Sequence, residues 1–294
     1  MKERFRERDF RPASLDLIAR CAVIIETYAA QGLRLTLRQL YYQLVSANMI
    51  PNEEKSYKNL GSLVSDARLA GLLDWDAIED RVRVPKRPSE WDDLGDIVNA
   101  VLHSYRLPRW KDQPEYVELW VEKDALAGVL APIATEYHVT LMVNRGYSSQ
   151  SAMYEAGRRF KNAQEEGKGL HLLYLGDHDP SGEDMVRDVA DRLAMFGVED
   201  LDVDKLALTM TQIRQYKPPP NPAKVTDSRA KAYIEKHGEH SWEVDALPPN
   251  VLAKIIRSAL AELVDDEAMG AVKAQEQRDK ERLRAAVAEI MRAS

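Results

Sequence analysis

Three carboxylates follow two segments of the chain that are predicted to be strands. Glu122 comes after the first of these segments, and Asp177 and Asp179 come after a later one. Because ligands of an open α/β sheet gather at the carboxyl ends of its strands, the three acids are expected in one crevice. Mg²⁺ takes one or two carboxylates together with waters and substrate phosphates, and repulsion among three acids favours a bound cation. The pattern therefore predicts Glu122, Asp177 and Asp179 as ligands of Mg²⁺.

The segment around Asp177 and Asp179 also leaves a second interpretation open. Side chains two apart in an extended segment point to the same side, so the two aspartates are expected together and His178 is expected to turn away from them. Pro180 follows directly and is typical of the first position of a helix. Asp179 is thus either a metal ligand or the cap of a helix.

Residues 38–42 read Arg-Gln-Leu-Tyr-Tyr and are predicted to lie on a helix. Arg38 and Tyr42 are four apart and share a face, whereas Tyr41 belongs to the apolar stripe that enters the core. A phenol has a pKa near ~10 and needs electrostatic help to act as a nucleophile at neutral pH. A guanidinium beside Tyr42 would supply that help. The alternative is a surface tyrosine that packs on the arginine through a cation–π contact.

Three helices near the N-terminus must position this pair. Apolar residues at helical spacing predict helices over about 15–32, 36–48 and 55–70. Thr36 and Gln39 form a capping-box pair at the start of the second helix. A small β-hairpin is predicted over the segment that contains Trp75, Ile78, Val82 and Val84. Three helices followed by such a wing predict a winged-helix domain.

The third helix carries basic side chains at Lys55, Lys58 and Arg68. Such residues on a helix of this kind contact phosphates or the major groove of DNA. A plain solvent-exposed face is the equally open alternative.

After Pro114 the chain alternates predicted strands and helices, which predicts a parallel sheet covered by helices. The predicted strands are 116–121, 139–144, 170–175 and 206–211, with helices over about 124–137, 149–164 and 180–196. The proline-rich stretch 215–224 is predicted to be a loop. Asn250 is expected to cap an amphipathic helix that ends at Val264, and a highly charged helix follows over about 268–291.

Composition narrows the class of protein further. The net charge is −7, from 41 Lys and Arg against 48 Asp and Glu, but the charges are unevenly spread. Residues 1–38 carry eight basic against five acidic side chains, while residues 151–200 carry six against eleven. The two regions are therefore expected to face different ligands. The charged N-terminus and the absence of a long apolar stretch predict a cytoplasmic protein with no membrane association.

Cysteine and histidine add little to the search for chemistry. Cys21 is the single cysteine, so an internal disulfide and a multi-cysteine zinc site are excluded, and a buried structural thiol is expected. His237 and His240 are candidate metal ligands. Because no third cluster matches them in the sequence, their segment is expected to be a solvated loop.

The motifs together resemble a known family. The Arg-x-x-Tyr-Tyr helix, the run Glu-Lys-Asp-Ala at 122–125 and the run Asp-x-Asp-Pro-x-Gly at 177–182 resemble the A subunit of topoisomerase VI and the meiotic double-strand-break transesterases. The resemblance covers roughly 33–83 and 116–192, and more weakly 242–263. The glutamate and Asp-x-Asp signature alone implies only a Toprim domain, which also serves primases and hydrolytic nucleases. The tyrosine motif narrows the resemblance to the transesterases.

The resemblance implies an α/β fold in which a winged-helix DNA-binding domain over 1–88, rich in helix, is joined by a helical linker over 89–113 to a Toprim domain over 114–294. It implies Tyr42 as the nucleophile, Arg38 as its helper, and Glu122, Asp177 and Asp179 as Mg²⁺ ligands. The expected activity is cleavage of double-stranded DNA with 5′-tyrosyl ends. The expected assembly is a homodimer in which the tyrosine of one subunit meets the metal site of the other.

Two departures from the family pattern bear on partners. The segment 145–149 matches only loosely the glycine-rich segment expected between the acidic motifs, and the chain has no P-loop. ATP-driven strand passage would therefore require a separate ATPase subunit of the B type. Two alternatives stay open: a hydrolytic Toprim nuclease, and a DNA-binding subunit that is active only with an ATPase partner.

Overall fold

The computed structural model describes residues 2–78, 88–144, 148–222 and 229–293. Within these ranges helices outnumber strands, and a four-stranded parallel sheet lies in the second half of the chain. The protein is therefore of the α/β class, as predicted.

Three helices near the N-terminus, called here the helical unit, pack around one apolar core. They are α1 (Pro12–Ala29), α2 (Leu37–Ser46) and α3 (Glu54–Leu69). The predicted capping box is present at α2, because Thr36 Oγ1 accepts a hydrogen bond from the backbone of Gln39 and Gln39 Oε1 accepts one from the backbone of Thr36. The buried core side chains include Ile18, Cys21, Leu40, Leu44, Leu60 and Val64.

Part of the segment predicted to be a hairpin is helical instead. Trp75–Ala77 forms one turn of 3₁₀ helix, and the guanidinium of Arg68 lies 4.7 Å from the centroid of the Trp75 ring. Ile78 forms an isolated bridge to the segment that precedes α2. Val82 and Val84 lie outside the described residues, so the wing stays a prediction.

The sheet has the strand order β2-β1-β3-β4, and every neighbouring pair is parallel. After α4 (Leu94–Ser104), the elements are β1 (Glu115–Val121), α5 (Ala127–Tyr137), β2 (Thr140–Val143), α6 (Gln150–Glu165), β3 (Gly169–Leu175), α7 (Pro180–Met195) and β4 (Leu201–Ala207). Successive side chains of a strand face opposite sides. Leu119 accordingly packs in the core beside α5, and Trp120 packs in the core beside α6 and α7.

The fourth strand lies earlier in the chain than the sequence predicts. Most of the predicted strand 206–211 leads instead into α8 (Met210–Tyr216), which a capping box begins. β4 is at the edge of the sheet, and Asp202 and Asp204 are exposed on it. An edge strand with acidic residues on one face lacks the apolar run by which the buried strands are recognised.

Two further predictions are corrected after β4. The stretch 215–224 is not simply a loop, because α8 extends into it and β5 (Asn221–Pro222) pairs antiparallel with β6 (His240–Ser241). Asn250 does not cap the amphipathic helix α10. The remaining helices are α9 (Ala230–His237), α10 (Pro249–Leu263) and α11 (Asp266–Ala293). α10 begins at a proline, which needs no N–H partner at that position, so Asn250 lies inside the first turn.

In the described ranges, we find no helix whose length and apolarity would let it cross a bilayer.

The charged helix α11 is held to the linker before the sheet by Glu276. This side chain is 5% exposed and accepts hydrogen bonds from Leu107 N–H, Arg109 Nη2 and Lys280 Nζ at 3.1–3.2 Å. Burial would raise the pKa of Glu276, but Arg109, Lys280 and the backbone donor lower it to about 2.

Glu276→Gln is expected to lower the free energy of unfolding by about 2 kcal/mol at pH 7, because it leaves Arg109 and Lys280, which are only partly exposed, without their charge partner. A carboxyl with a depressed pKa stabilises the fold above its ordinary pKa and loses that contribution as the pH falls to about 2. The difference between wild type and variant should therefore shrink between about pH 4.5 and pH 2. Urea unfolding at several pH values measures it, with the exposed Glu281→Gln as the control; an equal loss in both variants would contradict this role.

Candidate active site

A cavity of about 390 Å³ lies where the helical unit meets the carboxyl end of the sheet. It is called here the Tyr42 cavity. Four of the residues predicted from sequence line it, namely Arg38 and Tyr42 from α2 and Asp177 and Asp179 from the segment after β3. A single chain therefore brings together side chains that the sequence analysis assigned to two separate domains.

Tyr42 is not presented on a surface as the helical-face argument predicts. It is 3% exposed and packs in the core of the helical unit, as does Tyr41 at 5%. The two rings are 5.3 Å apart in an edge-to-face arrangement. What separates the two tyrosines is their hydroxyl partners, because Tyr41 Oη is 3.0 Å from Asn52 Oδ1 whereas Tyr42 Oη faces the charged groups of the cavity.

Arg38 stands beside Tyr42 as predicted. Its Nη2 is 3.4 Å from Tyr42 Oη, and its guanidinium carbon is 5.7 Å from the centroid of the ring. Burial raises the pKa of Tyr42 well above its ordinary value, the nearby Glu243 raises it further, and Arg38 offsets only part of the rise. Tyr42 is therefore un-ionised at neutral pH in this arrangement, and a nucleophilic role requires that its proton be taken.

Arg38 is itself paired with two acidic residues that the sequence analysis did not select. Its Nη2 forms an ion pair with Glu243 Oε2, and its Nε is 3.1 Å from Asp245 Oδ2. Both acids precede α10, and Asp245 is fully buried. These contacts join α2 to the segment after β6, and Ala246 extends the core of the helical unit in the same place.

Lys123 is the second cation of this cluster, called here the ion network. Its Nζ lies 2.8 Å from Asp177 Oδ2, 3.0 Å from Glu243 Oε2 and 3.2 Å from Asp245 Oδ1. Burial would lower the pKa of Lys123, but the three carboxylates raise it. Burial would raise the pKa of Glu243, but Lys123 and Arg38 lower it to about 2. Two cations and three carboxylates thus share their charges inside the protein.

Burial also disfavours the charge of Asp177, the member of the ion network that follows β3. Its Oδ1 accepts a hydrogen bond of 2.8 Å from Val244 N–H, and its residue is 7% exposed. Burial raises the pKa of Asp177 to about 7, Lys123 opposes the rise, and Glu122 adds to it. A buried carboxyl of this kind gains most from a nearby cation.

Glu122 and Asp179 have structural partners of their own. Glu122 Oε2 accepts a hydrogen bond of 3.2 Å from Asp177 N–H and does not line the Tyr42 cavity. Asp179 lines the cavity and also caps α7, since its Oδ1 accepts a hydrogen bond of 2.6 Å from Gly182 N–H. Gly182 is required here because a Cβ would overlap the carbonyl oxygen of Asp177. The interpretation of Asp179 as a helix cap is therefore confirmed, and its role as a metal ligand stays a prediction.

The group of three possible metal ligands that the described part of the chain brings together is His178, Glu183 and His237 rather than the predicted trio. His178 turns away from the Tyr42 cavity and is buried beside α9. The expectation that His237 lies in a solvated loop is corrected, because it ends α9 and packs 4.8 Å from the His178 ring. His240 is exposed and stays outside the group.

Sequence reasoning missed Lys123, Glu243 and Asp245. Lys123 is adjacent to Glu122 in the quoted motif, and Glu243 and Asp245 lie in the run 242–247 that weakly resembles the family. Both signals were present, but neither told which charges would meet. The loosely matching segment 145–149 begins with three residues outside the described ranges.

The three candidate DNA-binding residues of α3 differ in their surroundings. Lys55 is exposed, and Lys58 is exposed with a contact of 2.6 Å to Glu54. Arg68 is only partly exposed and donates a hydrogen bond to the carbonyl of Trp75. The basic surface of α3 therefore rests on Lys55 and Lys58, while Arg68 holds the chain that follows α3.

A scan against protein-family models and a search of curated proteins gave no match to the chain.

Proposed function

We propose that the protein is a Mg²⁺-dependent enzyme that cleaves double-stranded DNA by tyrosine transesterification, in the manner of the topoisomerase VI A subunit. One observation carries the proposal: Tyr42 and Arg38 line the same cavity as Asp177 and Asp179. A candidate nucleophile, a cation for the phosphate and carboxylates for a metal thus lie within one site. The choice of double-stranded DNA as the substrate rests on the motif resemblance.

The finer fold assignment is part of the same proposal. The helical unit would be the core of a winged-helix DNA-binding domain over 1–88, followed by a linker over 89–113 and a Toprim domain over 114–294. The alternation of strands and helices with acidic residues after β1 and β3 supports the Toprim assignment. Lys55 and Lys58 on α3 lie beside Glu54, a residue of the cavity lining, where they would contact backbone phosphates.

The charge of the cavity supports a requirement for a cation. Among its described lining residues are five carboxylates, from Glu53, Glu54, Asp177, Asp179 and Glu243, and one guanidinium, from Arg38. A phosphodiester would be repelled from such a site unless positive charge accompanied it. Asp177 and Asp179 offer the hard oxygen ligands that suit Mg²⁺, which needs only one or two of them. Because both side chains line the same cavity, their carboxylate oxygens fit the ion, which would share Asp177 with Lys123.

In the proposed reaction Tyr42 Oη attacks a backbone phosphorus. A bond forms between this oxygen and phosphorus, the bond from phosphorus to the 3′ oxygen breaks, and a strand with a free 3′ hydroxyl leaves. The phenol proton is released as the ester forms, and the leaving oxygen takes up a proton, so no other reactant is consumed. Bound Mg²⁺ would supply positive charge for the phosphate and the leaving oxygen.

Glu243 and Arg38 have separate roles in this step. Glu243 is ionised and near enough to Tyr42 to raise the pKa of its phenol, and it would become a better acceptor for the phenol proton once Arg38, which lowers its pKa, pairs with a phosphate instead. Arg38 lies between that carboxylate and the phenol, where it would stabilise the negative charge that develops on the phosphate. For this, the phosphate must replace Glu243 as the partner of the Arg38 guanidinium.

The burial of Tyr42 favours one second candidate, a hydrolytic Toprim nuclease. A tyrosine that is 3% exposed and has a raised pKa is typical of a structural residue. In that enzyme the attacking group would be water, and Tyr42 would only pack against Arg38.

The experiment that decides between them uses wild-type protein, Mg²⁺ and supercoiled plasmid, followed by denaturation before electrophoresis. Transesterification predicts that DNA ends remain attached to protein until protease is added, and that the protein is attached to the 5′ end at each break. Free ends with no attached protein would support hydrolysis. Intact DNA would support the alternative of a DNA-binding subunit. Cleavage should then appear only when an ATPase partner of the B type is added.

Double-strand cleavage needs two sites, so we propose a homodimer. The motif resemblance implies that the tyrosine and the acids of each site come from different subunits. The arrangement of the Tyr42 cavity supports a site completed within one chain, because α2 is bound to the ion network of the same chain. A complete site per subunit would still cut both strands when two subunits face one duplex.

Removal of the Asp177 charge should stabilise the metal-free protein. A carboxyl with a raised pKa favours the fold below its ordinary pKa and loses that contribution as the pH rises through about 7. In chelator at pH 8, Asp177→Asn is expected to raise the free energy of unfolding by about 2 kcal/mol, less than the full pKa shift because its pairing with Lys123 is lost. Urea unfolding from pH 5 to pH 8 measures the effect, and a large loss of stability at every pH would instead assign Asp177 a structural role.

A further inference from the structure

A second cluster with the chemistry of a metal site lies behind the segment that carries Asp177 and Asp179. His178, Glu183 and His237 each present a ligand atom within 4.8 Å of the others. His178 Nε2 is 3.9 Å from Glu183 Oε1, and the two imidazole centroids are 4.8 Å apart. None of the three lines the Tyr42 cavity.

We propose that His178, Glu183 and His237 form a binding site for a transition-metal dication of the Zn²⁺ type. Two imidazole nitrogens and one carboxylate oxygen are a ligand set of Zn²⁺ sites in which a fourth position is open to water. Mg²⁺ is bound through oxygen and is a poor match for this set. The inference goes beyond the proposed function and does not depend on it.

The hydrogen bonds of Tyr233 leave the correct nitrogen of His178 for a metal. Tyr233 Oη is 2.8 Å from the carbonyl oxygen of His178 and 3.1 Å from that of His240, and it is 2.7 Å from His178 Nδ1. A carbonyl oxygen can only accept a hydrogen bond, so the single hydroxyl hydrogen of Tyr233 is donated to a carbonyl. The hydroxyl therefore accepts from Nδ1–H, and the neutral ring has its lone pair on Nε2. A partner that holds the second nitrogen of a ligating histidine is a regular feature of metal sites.

The ligand atoms must move closer together for a metal to bind. Atoms bound at about 2.1 Å from a tetrahedral ion are about 3.4 Å apart, so separations of up to 4.8 Å in the cluster must shorten by up to about 1.4 Å. His237 is the last residue of α9 and is partly exposed, so its side chain can move. Lys205 Nζ now lies 2.6 Å from Glu183 Oε1 and 2.8 Å from the carbonyl of Asp177. A metal would replace Lys205 as the charge partner of Glu183.

The decisive experiment is a calorimetric titration of the chelator-treated full chain with ZnCl₂ in excess MgCl₂. The excess Mg²⁺ occupies oxygen-ligand sites such as the one proposed at the Tyr42 cavity. Wild type is expected to bind one Zn²⁺ per chain. Loss of a partner of a ligand alone weakens metal binding by about 10–100-fold, so His237→Ala, which removes a ligand, should weaken it by about 100-fold or more.

Control variants come from the same short segment. His240→Ala and Glu239→Gln remove exposed side chains that lie outside the cluster, and both should bind Zn²⁺ as wild type does. Tyr233→Phe should bind about tenfold more weakly. Co²⁺ gives a second readout, because its visible spectrum reports nitrogen ligands. That spectrum should be lost in His237→Ala and kept in His240→Ala.

No binding of Zn²⁺ by wild type, or equal binding by wild type and His237→Ala, would overturn the proposal. Equal weakening by His237→Ala and His240→Ala would do the same. Circular dichroism of each variant confirms that it is folded before titration. No DNA is used, so a chain that fails to cleave DNA can still bind Zn²⁺, and the two proposals fail separately.

Discussion

Tyr42→Phe is expected to reduce the yield of protein-linked DNA ends by at least about 10³-fold, since it removes the attacking oxygen. The ring stays in place in the core, and the hydrogen bond lost with the hydroxyl, from Arg38 Nη2, is a long one of 3.4 Å. The free energy of unfolding should therefore change by less than about 1 kcal/mol. Gel assays of protein-linked plasmid and urea unfolding measure the two effects.

The adjacent Tyr41→Phe is the matched control, with the opposite expectation. Its hydroxyl bonds to Asn52 Oδ1 at 3.0 Å, and it lies close to the carbonyls of Pro51 and Glu53. Removal should cost about 1 kcal/mol of stability and leave cleavage largely unchanged. DNA binding, followed by fluorescence anisotropy without Mg²⁺, should be retained by both variants.

Two results would contradict the assignment of the nucleophile. One is full formation of covalent ends by Tyr42→Phe. The other is an equal loss of cleavage in both tyrosine variants, which would point to a general effect on α2. If Tyr42→Phe cuts DNA and leaves free ends, the hydrolytic mechanism is supported.

The second large effect concerns where a complete site is assembled. Tyr42→Phe and Asp177→Asn chains, each inactive alone, are mixed so that mixed dimers form. Because one chain holds both Tyr42 and Asp177 at one cavity, neither chain of the mixed dimer has an intact site. We expect the mixture to stay inactive, with no nicked plasmid above the level of each variant alone.

A complementary mixture makes the test two-sided. Wild-type chain is mixed with an excess of the double variant that has both substitutions. If the site is completed within one chain, each mixed dimer retains one intact site and nicks one strand. If it is completed between subunits, both sites of that dimer are defective, whereas the mixture of single variants nicks DNA. Co-purification through different affinity tags confirms that mixed dimers are present in both experiments.

Local signals in the sequence determined much of the framework. The capping box of Thr36 and Gln39 begins α2 because its partners are three residues apart and need no other part of the chain. β1 and β3 are buried on both faces and show as apolar runs, so their ends, and hence Asp177 and Asp179 at the cavity, were predictable. The edge strand β4 lacks that signal, so its position could not be predicted from the sequence.

Helical periodicity predicted which side chains share a face of α2, but it could not predict what surrounds that face. The spacing of four placed Arg38 beside Tyr42, as the structure has them. Helical spacing cannot tell which neighbour will cover a polar face. The segment after β6 covers it here, so Tyr42 is buried rather than exposed and burial raises its pKa.

Only the tertiary structure decided which charges meet. Arg38 and Glu243 are 205 positions apart, and Lys123 reaches Asp245 across 122 positions. His178 finds its partners in Glu183 on α7 and His237 on α9, and only His237 belongs to the pair of histidines noted in the sequence. Ion pairs and metal sites depend on distances of a few ångströms between atoms, and sequence patterns report only neighbours within one helix or strand. For that reason the sequence determined the candidate residues, whereas the fold decided how they combine into sites.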